Sequence, residues 1–266
     1  MRGAFDDPRL SVAQDGTPRE AFHSGIDVCT EDGEAVYAIE PGSVSRRRNA
    51  YGVVTTAGGH RFGYWHVVPA VTAGEWVVRH QLIGYVAPGR GHVHLSESIA
   101  GRYVNPLRRG GIAPFVDETA PTVSAVLLLK NRKPVDLAAV SGRIDVAVDA
   151  YDTPPLAPPS PWDRARVAPA LLRWRLLDAA GVLVPWQIGV DFLHELFRPS
   201  LFDSVYAPET RQNRTSRPGF YRFYLLRDLD TGPLAPGMYV LQVEALDTRS
   251  NVGRGSVVFR VADQIR

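Results

Sequence analysis

Apolar residues in this chain come in short runs rich in Val and Ile, many alternating with polar residues, and long stretches of helical periodicity are nearly absent. Side chains of an extended strand point alternately to its two faces, so the pattern predicts an all-β protein built from half-buried strands. In the first half, strands are expected at 35–39, 52–56, 61–66, 75–78, 82–87 and 92–96, separated by Pro41-Gly42, Gly58-Gly59 and Pro88-Gly89. After Asn105-Pro106 the texture changes. Arg108-Arg109-Gly110-Gly111 reads as a linker, and a fresh apolar run opens at Val123. The boundary is expected near residue 116, which gives domains at 1–116 and 117–266. Further strands are expected at 143–150, 172–178, 221–226, 238–246 and 256–261, a spacing that fits a β-sandwich. A short helix is expected at 191–197, inside an irregular region that reaches Pro218.

With 266 residues, each of two domains can bury its own core. Thirty basic against twenty-eight acidic residues are too balanced to favour nucleic acid as a partner. The run Arg46-Arg47-Arg48 reads as a solvated loop. A single cysteine, Cys29, rules out an internal disulfide, and its apolar neighbours make it a small buried hydrophobe. No run approaches the length of a membrane span, and the first thirty residues lack the pattern of a signal peptide. The opening residues enter a domain at once, which leaves room for an upstream segment.

Histidines change this picture. In Gly91-His92-Val93-His94-Leu95 a strand puts both imidazoles on one face and Val93 and Leu95 on the other. His23 and Asp27, four residues apart, would be about 13 Å apart in a straight strand, too far to share an ion, so the chain must bend between them. Gly25 is expected to allow the bend through backbone angles refused to other residues. His66 follows an aromatic and β-branched strand and cannot be placed by spacing. Two histidines and a carboxylate are three ligands, which for zinc leaves a fourth position for water or substrate. His60, His80 and His194 fall outside these patterns and read as surface or structural residues.

The run Phe22-His23-Ser24-Gly25-Ile26-Asp27-Val28 resembles the first motif of M23 (LytM or lysostaphin-like) metallopeptidases. Tyr64-Trp65-His66 resembles their Y-x-H segment, and His92-Val93-His94 their H-x-H motif. The stretches Val36 to Val44 and Gly74 to Gly84 resemble the strands between these motifs, so the likeness runs from about Arg2 to Leu107. It implies that His23, Asp27 and His94 bind Zn2+, that His92 is the general base, and that His66 stabilises the oxyanion. It further implies a zinc metalloendopeptidase cutting peptidoglycan stems or cross-bridges in an extracytoplasmic setting. The alternatives are an inactive M23-fold regulator of wall hydrolases and a peptidase acting on another protein. The second half resembles an immunoglobulin-like sandwich, chiefly through Ala235 to Asp247. Trp162, Trp174 and Trp186 are candidates for a carbohydrate platform, with core packing the more ordinary role. A monomer is expected.

Overall fold

The computed structural model describes residues 1–13, 15–45, 52–112 and 115–262. The Arg46-Arg47-Arg48 run lies outside them. The protein is all-β, with antiparallel sheets throughout. In the first half the main sheet runs in the order Arg102–Val104, His92–Ile99, His60–Trp65, Gly52–Ala57, Gly42–Ser45, Trp76–Val77. The strand Ile26–Cys29 pairs with the start of His92–Ile99. A smaller sheet joins Ala35–Tyr37, Leu82–Val86 and Val67–Pro69, and Pro8–Val12 forms a hairpin with Pro18–Phe22.

Alternation fixes the register where it matters. Val93 and Leu95 enter a core with Ile26, Val53, Phe62 and Tyr64, which turns His92 and His94 to the other face. A slip of one residue would drive the imidazoles into that core and cost about 1.5–3 kcal/mol for each apolar side chain expelled.

In the second half two four-stranded sheets enclose a common core. One is Lys133–Pro134, Thr122–Lys130, Arg143–Tyr151, Arg222–Asp230; the other is Gly181–Asp191, Leu171–Asp178, Gly237–Leu246, Val252–Val261. Val146 and Val148 of the first face Leu172, Trp174, Leu241 and Val243 of the second. The cores exchange a residue each: Phe22 packs in the second and Val167 in the first. Hydrogen bonds across the halves, each between a side chain and a backbone group, include Ala168 N–H to Asp7 Oδ1, 2.8 Å, and Tyr206 O–H to the Asp6 carbonyl, 2.8 Å.

Two expectations are corrected. No helix forms at 191–197: Asp191 ends a strand, and the backbone beyond it pairs with the edge strand Arg102–Val104, through Asn105 N–H to His194 O and Leu196 N–H to Tyr103 O. Those edge hydrogen bonds compete with helix formation and win because Phe192 also anchors in the core. The helical turns lie later, at Pro199–Leu201 and Phe202–Val205. The three tryptophans share no platform. Trp174 is core, Trp186 lies against Arg173 and Arg175 on the outer face of its sheet, and Trp162 stacks on Arg2.

Candidate metal centre

The strand His92–Ile99 organises the site from both sides. On one side His94 is directly opposite Asp27; on the other it is opposite Trp65, the residue before His66. Side chains of directly opposed residues leave the sheet on the same face, so the ladder brings Asp27 to His94 without help from loops. His23 arrives differently. The chain bends at Ser24-Gly25, just ahead of Ile26–Cys29, and folds His23 back over Asp27. Gly25 keeps an ordinary backbone angle, contrary to expectation; glycine is required there by lack of room. A Cβ at Gly25 would collide with the Leu95 carbonyl oxygen and come within 3.1 Å of His94 Nε2.

Three atoms converge: His23 Nε2 and His94 Nδ1 are 2.7 Å apart, and Asp27 Oδ1 is 3.1 Å from the first and 3.2 Å from the second. Tetrahedral zinc holds its donors about 3.3 Å from one another, so the set fits such an ion after a slight expansion. Two imidazoles and a carboxylate are also the borderline donors that zinc accepts. The surroundings orient them. His23 Nδ1–H donates to the Ala4 carbonyl at 2.7 Å, which fixes the tautomer and leaves the Nε2 lone pair facing the site. Arg9 Nη2 donates to the other Asp27 oxygen at 2.7 Å.

Electrostatics follow from burial. His23, 4% exposed, is pushed down to about 4 by desolvation, with Arg9 adding to the effect, so it is a neutral imidazole at ordinary pH. For Asp27, burial favours the protonated form, but the hydrogen bond from His94 and the charge of Arg9 oppose it, and its carboxyl lies well below the usual range.

His92 and His66 form the second tier. His92 Nε2 is 3.8 Å from Asp27 Oδ1, outside the triad but beside it. Its Nδ1–H donates to the Arg90 carbonyl at 2.6 Å, which leaves the lone pair on Nε2. Burial lowers His92, and it lowers the neighbouring His66 to about 4, with His92 as a further cause. The two rings are 4.6 Å apart between centroids. The strain here is at His66, whose φ of 67° is in the left-handed region, which turns its ring toward His92 as the chain leaves the sheet.

All five predicted residues are therefore brought together. Of the others, His60 bridges Glu40 and the buried Glu97, while His80 and His194 are exposed. Half-buried Cys29 lies opposite His92 in the ladder, and burial raises its thiol. Arg2, Arg9 and the Ala4 carbonyl were not apparent from the sequence; backbone pairing of Arg2 and Gly3 with Asp27 brings the opening segment to the site. Nothing in the opening residues signals this, because arginine spacing says nothing about which distant carboxylate it will meet. Compared with protein-family models, with curated proteins and with solved structures, the chain gives no match.

Proposed function

We propose that the protein is a zinc-dependent endopeptidase with His23, Asp27 and His94 as metal ligands and peptidoglycan peptides as substrate. The observation that carries this reading is the convergence of His23 Nε2, His94 Nδ1 and Asp27 Oδ1 on one point, with the His23 tautomer set from behind. Zinc bound there would polarise a scissile carbonyl and lower the pKa of its water toward neutrality. His92 is the base: its Nδ1–H is held by Arg90, and its Nε2 takes the proton. His66, neutral down to about pH 4, donates its ring N–H as charge develops on the carbonyl oxygen. Peptidoglycan, and with it an extracytoplasmic location, follows from the motif resemblance. No helix among the described residues is long and apolar enough to cross a membrane.

One observation favours a second reading, a non-catalytic regulator of the same fold: Arg2 Nη2 lies against the His92 ring, 2.8 Å from Nδ1 and 3.2 Å from Nε2, and crowds the base. Metal analysis and a peptidoglycan digest read by mass separate the two. One equivalent of zinc, lost in His94→Ala, together with new peptide termini supports the enzyme. Zinc without cleavage supports the regulator, and no zinc defeats the metal site. A His92→Ala protein should keep zinc and lose turnover; cleavage at the parent rate would remove His92 from the mechanism.

A further inference from the structure

Beside the triad opens a cavity of about 180 Å3 lined by Arg2, Arg9, Asp27, Trp162, Gln212 and Asn213. Its floor belongs to the first half and its far wall to the second. Two guanidinium groups face one carboxylate, so the lining carries a formal charge of +1 even with Asp27 ionised. Arg9 spends one nitrogen on Asp27. Arg2 makes no salt bridge among the described residues. Its guanidinium lies 4.5 Å from the Trp162 ring centroid, and only Nη2 makes polar contact, with His92. Gln212 accepts Leu10 N–H through Oε1 and its amide N–H groups make no hydrogen bond among the described residues, and Asn213 pins the Arg2 backbone by donating to the Arg2 carbonyl at 3.0 Å.

A partly buried arginine with no carboxylate of its own, clamped on an aromatic face and flanked by a second arginine and a free amide, is built to receive a planar anion. We propose that this cavity is a carboxylate-binding subsite, in which Arg2 and Arg9 grip a carboxylate of a peptide bound next to the triad. The inference rests on the peptidase reading only in calling that peptide a substrate. An anion that draws Arg2 toward the cavity also lifts Nη2 from the His92 ring, so occupancy of the subsite and exposure of the base are linked. The carboxylate can belong to a chain terminus or to an acidic side chain.

The test is calorimetric binding to metal-free protein, which does not depend on turnover. Three probes are compared: N-acetyl-dialanine, its C-terminal amide, and N-acetyl-alanyl-glutamic acid with its α-carboxyl amidated. At least one acid should bind about tenfold or more tighter than the neutral amide, weakening with salt. Which acid does so names the source. Arg2→Gln should bring that preference close to one, and Arg2→Glu should reverse it, while circular dichroism reports that both variants remain folded. Equal affinity for all three probes, or no binding by any, overturns the subsite. So does a preference that appears only with zinc and persists in Arg2→Gln, which would place the carboxylate on the metal. A peptidase lacking the preference, and an inactive protein showing it, are distinct results, so the two proposals fail separately.

Discussion

Among the described residues, three metal-capable side chains gather in two places, and the two groups differ in donor type and in existing partners. His23, Asp27 and His94 sit on one sheet face; Asp117, Asp152 and Asp247 meet where the end of the linker approaches the second half. In both groups the ligand atoms lie within 4.8 Å of one another. The first mixes two imidazoles with a carboxylate, and backing groups hold His23 and Asp27 with acceptor atoms toward His94. The second consists of carboxylates alone, already engaged with local backbone. Asp247 Oδ1 accepts Arg249 and Asn251 N–H groups, Asp117 Oδ1 accepts Thr119 N–H, and Asp152 Oδ1 accepts Thr153 N–H. Repulsion there is relieved by a proton: burial first, then Asp117 and Asp247, raise Asp152 to about 8. Proximity alone thus does not distinguish a site from a set of turn caps; donor type and existing partners do.

The sharpest way to break this contrast is to remove one member of each group and measure bound zinc. His94→Ala or Asp27→Asn should abolish zinc binding at stoichiometric metal, whereas Asp117→Asn should leave the content unchanged.

A second effect concerns pH. Asp152 has a folded pKa raised above its value of 3.8 in the unfolded chain, so the folded state holds the proton more tightly. Stability should therefore fall as pH rises from about 4 to about 8, by up to about 1.4 kcal/mol per pH unit for this group. Burial raises Asp6 to about 8 and Asp7 to about 7 as well, so Asp152→Asn should reduce, without abolishing, the slope in that window, as followed by urea denaturation at several pH values. A variant with the parent's slope would show that the carboxyl is ionised throughout.

Gly25→Ala tests the bend. The added methyl meets backbone, which cannot swing aside, so a loss of about 1–3 kcal/mol is expected together with weaker zinc binding. Stability unchanged in chemical denaturation would mean that the bend has slack. The smallest expected effect is on the acid limb of the pH–rate profile. Because burial lowers His92, kcat/KM should stay high below pH 6.5 before it falls, and an acid limb centred above pH 6.5 would assign that titration to another group.

Much of the fold was legible in the chain. Runs such as 123–129, 143–150 and 238–246 carry alternation strong enough to locate strands to within a residue or two. The hairpin Pro8–Val12 with Pro18–Phe22 was not, nor was Gly181–Asp191, because exposed positions on both faces blur the period of two. Residues 191–197 misled because local helical preference says nothing about a distant edge strand waiting to pair.

By itself the sequence determined that the protein is all-β, that His92 and His94 share a face, and that His23 and Asp27 can meet only across a bend. Those are consequences of backbone geometry within a few residues. Tertiary structure alone decided that Asp27 stands opposite His94, that glycine at position 25 answers a lack of space, and that Arg2 and Arg9 border the triad beside Trp162. Each depends on pairing or packing between segments far apart in the chain, where register and burial, set by the whole core, fix which side chains meet.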